Sequence, residues 1–165
     1  MPLFKRRSNG VKGIKKILVP LDFSECSKHA FYYALDIATS GGAELFILHV
    51  IDIDLLDNIS NLNLCSKTKA KKLMERYAKS EFGKLRKESA KKISKTVSKE
   101  IIEDGIPFLH ILHKAKDLDT DLIVMGSFGT SSLMKRLFFG STTEKVLRGS
   151  KIPVLCIPLP QAIEG

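Results

Sequence analysis

The 165-residue chain contains only three cysteines, Cys26, Cys65 and Cys156, with no CxxC or Cys/His spacing among them. An odd, scattered set of this kind argues against a disulfide framework and a structural zinc site, and makes a reducing cytoplasm the expected compartment. No apolar run approaches the roughly 18–20 residues needed to cross a bilayer. The longest, around Leu45–Ile51, has the length of a strand and is interrupted by His49, so no membrane partner is expected. The opening MPLFKRRSNGVKG is charged and lacks an apolar h-region, which argues against a secretory signal. Strict phosphate-loop signatures are missing as well: neither GxxxxGK[ST] nor GxGxxG occurs. So are the GxSxG elbow, HExxH and a catalytic Cys–His spacing. There is no internal repeat and no low-complexity tract.

What is present is enough apolar material, 44% of residues, for one domain with a substantial core. We expect a basic leader over residues 1–13, a folded domain over 14–160 and a short tail over 161–165. The formal charge of +9 is unevenly distributed. Segment Lys67–Lys99 holds 13 basic and 3 acidic residues, a charge of +10, and leaves the remainder close to neutral. The question of an anionic partner is therefore local.

Short, continuous apolar runs alternate with helical patterns. Ile17-Leu18-Val19 reads as a strand buried on both faces and closed by Pro20, which cannot donate to a ladder. Ser24 is placed to cap a helix reaching about Ser40 and ended by Gly41-Gly42. Leu45–Val50 is a second strand, and Ile51–Ser66 has mixed polarity and no sustained period and is expected to be a loop or a short irregular insertion. Lys67–Lys99 reads as a long amphipathic helix with Leu73, Met74, Tyr77, Ala78, Phe82, Leu85, Ile93 and Val97 on its apolar side. A strand near Val97–Glu103, a helix over Pro107–Leu118, a strand over Asp121–Met125, a helix over Ser141–Arg148 and a last strand over Ile152–Ile157 complete the order. Continuous strands alternating with helices predict a doubly wound α/β domain with a five-stranded parallel sheet.

In such sheets, ligands bind beyond the carboxyl ends of the strands where the strand order reverses. Two strands end in residues suited to this. The first ends in Pro20-Leu21-Asp22, setting a carboxylate beyond the sheet. The fourth ends in Met125-Gly126-Ser127-Phe128-Gly129-Thr130, and Gly140-Ser141-Thr142 later opens a helix. Glycines allow close backbone approach, and a helix N-terminus offers unpaired N–H groups and a favourable dipole to an anion. Hydroxyls of Ser127, Thr130, Ser131, Ser141 and Thr142 add donors, and Lys135 and Arg136 are candidates for outer phosphates. Tight turns and a helix cap with no ligand would need the same residue types.

The segments KKILVPLDFSE, LFILHVID and DLIVMGSFG…FFGSTTEKVLRGSKIPVLCIP together resemble the universal stress protein family over about Lys16–Pro158. The resemblance implies a Rossmann-type sandwich of the adenine nucleotide alpha hydrolase-like kind, strand order 3-2-1-4-5, and a homodimer paired through the last strand, Ile152–Ile157. ATP-binding members carry G-x2-G-x9-G-(S/T). Here Gly126, Gly129 and Gly140-Ser141 match, with ten residues, Thr130–Phe139, in place of nine. Carried over by position, Pro20, Leu21 and Asp22 would border adenine and ribose, and Val50 would pack on the base. Met125, Gly126 and Gly129 would line the phosphates, closed by Gly140, Ser141 and Thr142, with Mg²⁺ or Mn²⁺ as companions. The reading is an ATP-binding regulatory or stress-response module. The alternatives are a non-binding member acting through protein partners, and nucleic-acid association through the basic segment.

Catalysis has little support. Asp22 is the one carboxylate clearly placed near the expected pocket, no base for hydrolysis is named, and at most slow ATP turnover is expected. His49 is expected to be a hydrogen-bonded structural histidine. His110 and His113, three apart on a helix, lack a third metal ligand.

Overall fold

In the computed structural model, residues 13–128 and 139–159 are described. The expected basic leader and C-terminal tail therefore fall mostly outside the described residues, as do Gly129, Thr130, Ser131, Lys135 and Arg136. The elements are β1 (Lys16–Pro20), α1 (Glu25–Gly41), β2 (Glu44–Asp52), α2 (Ile53–Asn61), α3 (Lys67–Glu88), α4 (Ala90–Ile93), β3 (Ser98–Gly105), α5 (Pro107–Asp117), β4 (Leu122–Gly126), α6 (Ser141–Gly149) and β5 (Val154–Ile157). The five strands form one sheet of order β3-β2-β1-β4-β5, parallel throughout.

The central strands are apolar on both faces because both faces are covered. Ile17 and Val19 point into one layer with Phe31, Leu35, Phe82 and Leu85 of α1 and α3. Leu18 and Ile123 point the other way, onto Ile111 and Ala115 of α5 and Val146 of α6. Ser24 caps α1 as expected, its hydroxyl accepting from the Ser27 N–H at 3.2 Å. Gly42 ends α1 in the left-handed region, φ 67°, where a side chain would be strained. Asp121 ties the start of β4 to β1, its carboxylate accepting from the Lys15 and Lys16 N–H groups at 2.9 and 3.0 Å.

Two expectations are corrected. Ile51–Ser66 is not simply a loop: β2 runs on to Asp52, whose carboxylate caps α2 by accepting from the Asp54 N–H at 2.9 Å. Ile53, Leu56 and Ile59 recur every three residues along α2, with Leu56 buried and Ile59 packed partly buried beside it. Nor is Lys67–Lys99 one helix. α3 stops at Glu88, where the Ser89 hydroxyl bonds back to the Leu85 carbonyl and α4 restarts the chain for a single turn. Val97 belongs to the approach to β3, its carbonyl accepting from the Leu45 N–H at 2.9 Å while its side chain stays 65% exposed. The buried face of α3 is Ala70, Ala78, Glu81, Phe82 and Leu85. Leu73 and Tyr77, expected on that face, are exposed.

Candidate functional site

The order reverses between β1 and β4, which lie side by side while their chain connections leave in opposite directions. A cavity of about 470 Å³ opens there, at the carboxyl edge of the sheet. Its walls include Pro20, Leu21 and Asp22 from the end of β1, Val50 from β2, Met125 and Gly126 from β4, and Gly140, Ser141 and Thr142 at the start of α6. These candidates thus meet around one space. Ser127 does not line it; its hydroxyl lies 3.8 Å from Cys26 Sγ and its N–H donates to the Ile157 carbonyl at 3.0 Å.

Two hydrogen bonds join the distant stretches. The Gly140 N–H donates to the Ser127 carbonyl at 2.9 Å. The buried Thr143 hydroxyl donates to the Gly126 carbonyl at 3.0 Å. The second accounts for a residue absent from the sequence candidates, because a buried carbonyl at a strand end needs a donor. Among the described residues no side chain caps α6, which leaves its first-turn N–H groups to an anion, with the positive end of the helix dipole behind them. Among the described residues no Lys or Arg lines the cavity.

Gly126 has a different reason from the one its motif suggests. A Cβ there would lie 3.0 Å from both the carbonyl carbon and Sγ of Cys26. The glycine lets the first turn of α1 close on β4, so the constraint on its side chain comes from packing.

The opposite wall is fixed by its own contacts. The Leu21 N–H donates to the Leu48 carbonyl at 2.8 Å. Asp22 Oδ1 accepts from the Ser24 N–H at 3.0 Å and from the Ser24 hydroxyl at 2.6 Å. Between them Phe23 adopts φ 63°, a conformation bulky residues rarely accept. The ring is buried, 4.6 Å from the His49 ring, 5.2 Å from Phe82 and 5.8 Å from Tyr77 between centroids. His49 Nδ1 lies 2.7 Å from the Leu21 carbonyl; a carbonyl only accepts, so Nδ1 carries the proton. Burial lowers the His49 pKa below its usual 6.5, outweighing the Leu21 hydrogen bond and the Asp22 charge. His49 thus makes the hydrogen bond expected of it, and it also lines the cavity.

The sequence reading missed the third wall. Asp52, Leu55, Met74 and Tyr77 line the cavity from the end of β2, α2 and α3. The N-cap signal at Asp52 could have marked α2, and with it Leu55, as a neighbour of the strand ends. No group of three or more His, Cys, Asp or Glu side chains placed to hold a metal occurs among the described residues. His110 Nδ1 instead faces Glu103 at 3.2 Å.

A doubly wound parallel sheet with an open cavity at its reversal defines a Rossmann-type α/β domain. A sequence model described as the universal stress protein family matches residues 13–158. Universal stress protein MJ0577 of Methanocaldococcus jannaschii is 35% identical over 155 residues, covering 87% of this chain and 94% of that protein. Its solved structure superposes with a TM-score of 0.78 at 32% identity, covering 92% of this chain and all of that one. A universal stress protein solved in complex with cAMP shares the fold, with a TM-score of 0.65 at 21% identity over 90% of this chain and 100% of that one. The chain belongs to the universal stress protein family.

Proposed function

We propose that the protein is an ATP-binding regulatory module of the stress response that acts by retaining its nucleotide. The observation that carries this reading is the pairing of an apolar-walled cavity of about 470 Å³ with an α6 N-terminus that no side chain caps among the described residues. Val50, Leu55, Met74 and Tyr77 offer an apolar seat for a base, and Asp22 a carboxylate for ribose hydroxyls. The amides of Ser141 and Thr142 receive phosphate oxygens, completed by Gly129 and Thr130. A divalent ion would enter with the phosphates, since the carboxylates at hand, Asp22 and Asp52, each have one oxygen already committed to nearby donors. The cAMP complex of a fold relative supports the nucleotide class.

The reading includes a cytoplasmic homodimer. Among the described residues β5 is an edge strand with one side of its backbone unpaired and Leu155 38% exposed, and an edge of this kind is stabilised by pairing. No described helix is long and apolar enough to cross a membrane.

The test is to denature freshly purified protein and identify released small molecules by mass spectrometry, then titrate the emptied protein with ATP calorimetrically. Released adenine nucleotide and ATP binding at one site per chain are expected. Absence of both would place the chain among the non-binding members that act through protein partners.

A further inference from the structure

The +10 segment resolves into two populations of cations. Several are paired: Lys67 with Asp57, Lys71 with Asp104, Lys84 with Glu81, Arg86 with Glu100 and Lys92 with Asp36. Lys69, Lys72, Arg76, Lys79 and Lys87 of α3 are exposed and form no ion pair among the described residues. Their spacing is not random. At ~100° per residue they fall within an arc of about 80°, diametrically opposite the buried face. The remaining position in that arc is Gly83, beside which an added Cβ would meet nothing within 4 Å. The result is a straight line of five positive charges about 27 Å long, at a rise of ~1.5 Å per residue, with no acidic residue in it.

We infer that this stripe is a docking surface for the phosphodiester backbone of duplex nucleic acid, bound without sequence preference. Charge complementarity selects a polyanion, and the rigid line spans the rise of about eight base pairs at ~3.4 Å each. The stripe contains no aromatic on which an unpaired base would stack, which argues for backbone over single-strand recognition. An anionic membrane fits less well, because interfacial helices insert an apolar face, and that of α3 is buried against the sheet. The surface is separate from the cavity and does not depend on the nucleotide reading.

The test uses the full chain and fluorescein-labelled 20-base-pair duplexes of two unrelated sequences, in DNA and RNA forms, followed by fluorescence anisotropy against salt. Equal affinity for the two sequences is expected, with a log–log salt slope of about −4.5 for five neutralised phosphates. The triple reversal Lys72→Glu, Arg76→Glu and Lys79→Glu should lower affinity at least about tenfold and cut the slope to about −2. The equally charged reversal Lys15→Glu, Lys116→Glu and Lys151→Glu, at exposed positions outside α3, should change affinity less than about twofold. Equal losses from the two triples would reduce the effect to net charge and overturn the proposal. So would binding to phosphatidylserine vesicles with no duplex binding, or no binding to either.

Discussion

Two of the cavity's three walls are held in contrasting ways. The β1–β2 wall spends its polar groups on itself: Leu21 is bonded to Leu48 and His49, and Asp22 to Ser24, around a buried Phe23 in a left-handed conformation. Among the described residues, the β4–α6 wall is held closed by Gly140 bonded to Ser127 and Thr143 to Gly126, with no side chain capping the start of α6. One wall is shaped in advance and the other keeps donors in reserve. A nucleotide has matching halves, a flat base wanting a formed surface and a phosphate chain wanting free N–H groups.

Removing the buried ring of the first wall gives the largest expected effect. Phe23→Ala should cost about 3–5 kcal/mol in chemical denaturation, because it empties the contact with His49, Tyr77 and Phe82. Phe23→Gly should cost less than Phe23→Ala, since glycine alone is unstrained at φ 63°. The reverse order would mean that the backbone there is not under strain. On the second wall, Gly126→Ala should cost about 1–3 kcal/mol by pressing on Cys26.

The smallest effect is one of pH. His49 binds its proton less readily folded than unfolded, so the unfolded chain takes up more protons as pH falls through 6.5. Stability should therefore decline below about pH 6.5 and be flat in this respect above it. His49→Gln should abolish that part of the profile in urea melts recorded at several pH values. An unchanged profile would assign the dependence to other groups.

How far these walls were legible in the sequence follows from what each residue answers to. Pro20, Asp22 and the glycine–serine start of α6 stand beside apolar runs or at a helix start, and local pattern sufficed to place them. The sheet order came with the family resemblance, and the structure bears it out. The cause of Gly126 was invisible because it lies in Cys26, a hundred positions away. α2 carries the step Ile53, Leu56 and Ile59 behind the Asp52 N-cap, but in nine residues running straight on from β2 that step is too short to stand apart from the strand. Tyr77 was assigned to the core because three- and four-residue steps describe a stripe wider than the face α3 buries. Its ring instead sits at the edge of that face, over Phe23 and the cavity.

The sharpest single measurement compares ATP with adenosine by calorimetry on wild-type protein and Ser141→Pro. Proline is tolerated at the first position of a helix and removes only an N–H that the helix does not use. If the uncapped start of α6 holds the phosphates, ATP affinity should fall by about ten- to a hundredfold, the loss expected for one hydrogen bond to a charged group, while adenosine binds as before. ATP affinity equal to wild type in a correctly folded Ser141→Pro protein would contradict the account.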